Sequence, residues 1–113
     1  MKSSHALAAV LAALSLFVIS GAARAQVDAD AAQALAKKSK CTTCHAVDKK
    51  KDGPSFKETA AKYKGKPDAV DKLFKHVTTS PTIKVDGKEE THEDVKSKNE
   101  AEIRNLIGWI LAQ

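Results

Sequence analysis

The stretch Cys41-Thr42-Thr43-Cys44-His45 sets two thiols three residues apart and puts an imidazole directly after the second. Several chemistries use paired cysteines, and context separates them. A plain disulfide needs only an oxidising compartment. A thioredoxin-like redox pair belongs beside a βαβ pattern, and no strand-rich segment precedes Cys41. A zinc site needs two more ligands, yet His76 and His92 are 16 residues apart, far from the close histidine spacing of zinc motifs. C-x-x-C-H, by contrast, is the arrangement that attaches a c-type haem. Its cysteines form thioethers with the two vinyl groups and its histidine, here His45, ligates the iron from the proximal side.

The residues upstream agree with that chemistry. Lys2 supplies a positive end, Leu7 to Ile19 an apolar run, and Ala23-Arg24-Ala25 a small-x-small cleavage site, the layout of a secretory signal peptide. Residues 1–25 are therefore expected to be a cleaved leader and 26–113 a single domain. The leader's apolar run falls short of the about 20 residues that a membrane helix needs, although a retained leader would act as an anchor. Of 19 basic residues Lys2 and Arg24 lie in the leader, against 14 acidic residues in the whole chain, so the domain keeps a net charge of about +3. Its aromatic stock is Phe56, Tyr63, Phe74 and Trp109. So small a domain often needs a cofactor to complete its core, and a porphyrin is a large apolar plate.

Helical patterns flank the motif. Asp28 can cap an alanine-rich helix whose acids come first and lysines last, as the helix dipole favours, with Ala32, Leu35 and Ala36 on a narrow apolar face. A charged loop then runs to the turn at Gly53-Pro54. A second short helix is expected over Ser55 to Tyr63, and a third from Pro67, in its first turn, to about Thr78. From Thr79 to Lys96 the helical period disappears and the segment reads as loop, with no convincing strand. Ser97 with Glu100 gives a capping-box pattern ahead of a last helix whose stripe is Ile103, Leu106, Ile107, Ile110 and Leu111.

Taken in this order, the chain resembles the small bacterial class I monohaem c-type cytochromes over essentially the whole of 26–113. CTTCHAVDKKKDGPSFKETAAKYKGK is similar to the first half of such proteins and NLIGWILAQ to their closing helix, Trp109 included. The resemblance implies an all-α class I cytochrome c fold: three to four short helices wrapped around one covalently bound haem, with the first and last helices crossing. It also implies that Cys41 and Cys44 hold haem c and that the Pro54 backbone carbonyl accepts a hydrogen bond from His45. Such a bond fixes the tautomer of a ligating histidine and raises its basicity.

The chain departs from the family pattern on the distal side. Family members carry a methionine shortly before the last helix; here the only methionine is Met1, and the loop reads TIKVDGKEETHEDVKSKN. His92 occupies nearly the methionine's place, and imidazole suits iron well, so His92 is the candidate distal ligand and bis-histidine ligation the expectation. The alternatives are Lys84 or Lys88 as a deprotonated amine, an open distal site, and His76. In the resemblance, His76 corresponds to a basic position near a haem propionate.

Iron with two strong axial ligands has no vacant position, which points to an electron carrier and not an enzyme. The expected function is a periplasmic protein, monomeric and free of any membrane span after cleavage, that shuttles single electrons between redox partner proteins. Lys37, Lys38, Lys40, Lys49, Lys50 and Lys51 flank the motif and would steer it toward acidic docking surfaces. The alternative is a gas-binding or sensing haem protein, or a weak peroxidase, with an open distal site. The modest charge and core-like aromatics argue against nucleic acid.

Overall fold

The computed structural model describes residues 26 to 113; the expected leader, residues 1–25, lies outside the described residues. Five helices and one hairpin follow in the order α1 (Ala29–Lys38), α2 (Cys41–Cys44), α3 (Phe56–Tyr63), α4 (Ala69–Thr78), β1 (Thr82–Val85), β2 (Lys88–Thr91) and α5 (Glu100–Leu111).

The first and last helices cross, as expected. Helix α1 starts where the Asp28 carboxylate accepts the Ala31 N–H at 3.0 Å, and it buries Ala32, Leu35 and Ala36. These small side chains let α5 approach closely, and α5 contributes Ile103, Leu106, Ile107 and Ile110, all buried. Burying an aliphatic side chain of that size stabilises by about 1.5–3 kcal/mol, so this crossing is the main apolar seam. Asn105 locks its end: the Asp28 N–H donates to Asn105 Oδ1 at 2.8 Å, and Asn105 Nδ2 donates to the Asp28 carbonyl at 2.8 Å.

Two boundaries differ from expectation by more than a residue, each for a local reason. Helix α5 is capped by Asn99, whose side-chain oxygen accepts from the Ala101 and Glu102 N–H groups. Ser97 instead supports the turn before the cap, accepting from the Asn99 N–H and donating to the Glu102 carboxylate. Pro67 stands just outside α4, whose N-cap is Asp68. The capping box of α3 is complete, with Ser55 and Glu58 serving each other's backbone N–H.

The larger correction is the segment expected to be loop. Strands β1 and β2 pair antiparallel, with Thr82 opposite Thr91 and Val85 opposite Lys88. Asp86 and Gly87 between them both have positive φ, 49° and 79°, the requirement of a two-residue type I′ turn, for which Asp-Gly is favoured. Every residue of β2 is exposed, so no apolar alternation announced it. The opposed charges of Lys84 and Glu89 suit a solvated ribbon.

Candidate haem site

Helix α1 hands the chain to the motif through a sharp turn: the Ser39 N–H closes on the Leu35 carbonyl at 2.9 Å, and Lys40 takes the left-handed conformation with φ 59°. One helical turn, α2, then sets Cys41 and Cys44 on a common face, because residues three apart on a helix are neighbours. Both are free, half-buried thiols. Burial pushes the Cys41 thiol above its ordinary pKa.

His45 leaves α2 in an extended conformation. Its Nδ1–H donates to the Pro54 carbonyl at 2.7 Å, as expected, so the lone pair on Nε2 is left for a metal. Two residues that sequence reasoning did not connect with His45 also hold the ring. A Cβ on Gly53 would overlap Cε1 and stand 2.8 Å from Nδ1 and 3.0 Å from Nε2 of His45. Gly53 is therefore glycine because the imidazole lies directly over its backbone. Phe56, at the start of α3, stacks on the ring at 5.5 Å between centroids and meets Trp109 edge-on at 5.4 Å. The one available signal was the position of Gly53 beside the predicted acceptor Pro54.

On the other side stands His92, directly after the hairpin. Its N–H donates to the Pro81 carbonyl at 2.9 Å, and the Val95 N–H to the Val77 carbonyl at 2.9 Å. The Ser80 N–H donates to the Asp94 carboxylate at 2.7 Å. Three bonds thus tie the His92 loop to α4 and the chain just after it. The His92 and His45 ring centroids are 6.3 Å apart, tilted by 50°. The His76 ring packs against His92 at 4.4 Å and 56°. The rival amines of Lys84 and Lys88 lie on exposed residues of the hairpin.

The electrostatics favour neutral imidazoles. Burial, chiefly, pushes His92 below its ordinary pKa, and the neighbouring His45 adds to the effect. His76 is lowered too, by burial first and then by His92, His45 and Lys62. Nδ1 of His92 is buried with no hydrogen-bond partner among the described residues, an uncompensated group that a native structure ordinarily satisfies. A metal holding one imidazole nitrogen on each side at about 2 Å would put the ring centroids roughly 6 Å apart. The separation observed, the free thiols and the tethered proximal ring all fit a covalently attached haem.

A helical fold closed by a crossing of its first and last helices, with C-x-x-C-H at the end of the first, defines an electron-transferring haem protein. The chain belongs to the Cytochrome c family, whose model matches residues 29–113. It is 39% identical over 74 residues to cytochrome c-551 of Azotobacter vinelandii, a match covering 63% of this chain and 83% of that protein. Among solved structures it is similar to the class 1 cytochrome MtoD from Sideroxydans lithotrophicus ES-1, with 49% identity, a TM-score of 0.74, and coverage of 77% of this chain and 97% of that one. Wild-type cytochrome c552 of Nitrosomonas europaea is similar at 32% identity and a TM-score of 0.55, over 70% of this chain and 95% of that one. The protein is thus a small bacterial class I c-type cytochrome that binds one covalent haem c, and Cys41, Cys44 and His45 fit the attachment motif. It is an electron carrier with redox partners and not an enzyme.

Proposed function

We propose that this cytochrome is a soluble periplasmic shuttle of single electrons with bis-histidine ligation. Cys41 and Cys44 form the two thioethers, His45 is the proximal ligand and His92 the distal one. The observation that carries the assignment is the 6.3 Å separation of the His45 and His92 rings. Bound haem supplies the one-electron ferric/ferrous couple.

The protein's own groups set how that couple behaves. Pro54 keeps the His45 tautomer fixed through its carbonyl, which strengthens His45 as a donor. An axial methionine raises a cytochrome's potential, so an imidazole from His92 sets a lower potential than in relatives with methionine. With His45 and His92 both holding the iron, no position there would be left for substrate. Export through residues 1–25 delivers the chain to the compartment where it acts as a monomer, and no described helix is long and apolar enough to cross a membrane. The six lysines around the motif are all exposed and would draw in an acidic partner at rates that fall with salt.

The test is spectroscopic. The native ferric protein, matured with haem, should be low-spin and its ferrous form indifferent to carbon monoxide, whereas His92→Ala should be high-spin and bind carbon monoxide. A native protein that is already high-spin supports an open distal site instead. A His92→Ala spectrum identical to native refutes the ligand assignment.

A further inference from the structure

The proximal and distal imidazoles are held by different means. The second nitrogen of His45 is anchored by a carbonyl at 2.7 Å, the usual way in which a ligating histidine is oriented. His92 lacks a comparable anchor: its Nδ1 is buried without a hydrogen-bond partner among the described residues, and only the Glu93 backbone offers the ring a hydrogen-bonding neighbour. Its backbone is fixed by the hairpin and by the Pro81 carbonyl, but backbone bonds leave the side-chain torsions free. The half-buried His76, on the last turn of α4, packs against the ring. The two centroids are 4.4 Å apart and the planes inclined at 56°, a packing contact of tilted rings.

We infer that His76 is the positioning residue of the distal ligand: its ring is the wall that holds the His92 imidazole toward His45. This rests on the reading of His92 as distal ligand. The alternative, a hydrogen bond from His76 to a propionate, makes a different demand on the side chain. A wall needs a flat ring of similar breadth and no polar atom, whereas a propionate contact needs a polar atom and no ring. The wall also has firm footing, because Val77, next to His76, accepts the Val95 N–H. The backbone that carries His76 and the loop bearing His92 are therefore joined by a hydrogen bond.

The opposing demands give the experiment. Cyanide, which competes with a protein ligand for ferric iron, is titrated into the matured holoproteins of native sequence, His76→Ala, His76→Phe and His76→Gln, with ferric electron paramagnetic resonance recorded before addition. Removing the wall in His76→Ala should raise apparent cyanide affinity about tenfold and broaden the low-spin signal as ring orientations spread. His76→Gln should behave like His76→Ala, and His76→Phe should return both readouts close to native. Cyanide affinity within twofold of native in His76→Ala overturns the inference. So does rescue by Gln and not by Phe, which would assign the propionate contact, or failure of Phe to rescue at all. Failure of the ligand reading shows itself separately, as a His92→Ala protein whose ferric spectrum matches native.

Discussion

Replacing Gly53 by alanine tests whether the proximal imidazole is held as tightly as its surroundings imply. The backbone of Gly53 lies outside the left-handed region, unlike that of Gly65 and Gly87, so the substitution brings no conformational strain and acts by contact alone. The new methyl group would overlap Cε1 of His45 and sit 2.8 Å from Nδ1. The Pro54 carbonyl at 2.7 Å and the Phe56 face at 5.5 Å already hold the ring, and in the holoprotein the proposed iron bond restrains it further. It can therefore yield to the methyl group only by giving up the Pro54 bond. Overpacking of this kind costs about 1–3 kcal/mol, and losing the Pro54 bond about 1 kcal/mol more. The reduced freedom of the unfolded chain returns only about 0.4–1 kcal/mol. A net loss of about 1–4 kcal/mol should lower the Tm of so small a domain by roughly 5–25 °C. The potential should rise as well, because a histidine without its carbonyl partner is a weaker donor to ferric iron. Thermal unfolding of ferric holoprotein followed at the Soret band, with a redox titration beside it, measures both. A Tm within about 3 °C of native, well inside what overpacking forbids, together with an unchanged potential, would refute the argument.

Two further expectations concern other parts of the chain. Asn99→Ala removes the acceptor for two N–H groups of α5 and should cost about 1 kcal/mol, more than Ser97→Ala, by denaturant unfolding; a larger loss at Ser97 would return the cap to that residue. In haem-free protein at pH 8, Cys41 should alkylate more slowly than in the same chain unfolded in urea. Burial raises its pKa and so lowers the thiolate fraction that reacts; equal rates would contradict the burial.

What was legible in the sequence follows from which interactions are local. The cap at Asp28, the apolar stripes of α1 and α5 and the C-x-x-C-H spacing all rest on residues within a few positions of one another, and helices form at those stripes, although the starts of α3, α4 and α5 differ by a residue or more from expectation. His45 and Pro54 are nine residues apart, yet the resemblance supplied their pairing and the structure contains it. The hairpin was missed because β2 buries no side chain: a ribbon without a buried face leaves no alternation to read, and only the Asp86-Gly87 turn marks it. The His76–His92 contact was beyond sequence altogether, since it depends on how α4 and the following chain pack.

The hairpin and the proximal loop together bear on electron transfer itself. A carrier works best when its metal keeps the same ligands in both oxidation states, because any ligand that leaves or turns must be reorganised at each transfer. The His45 ring is pinned by a carbonyl, by the glycine beneath it and by an aromatic face. The His92 backbone is carried at the end of a two-residue-turn ribbon and bonded to the Pro81 carbonyl. A long free loop would have to be ordered each time a ligand rebinds, at a backbone cost of about 1–2 kcal/mol per residue. The ribbon meets that cost once, on folding, through its own ladder. The stretch from Thr82 to Thr91, which looks in sequence like solvated charge, is on the proposed ligation the scaffold that fixes the backbone of the distal ligand, while the ring itself leans on His76.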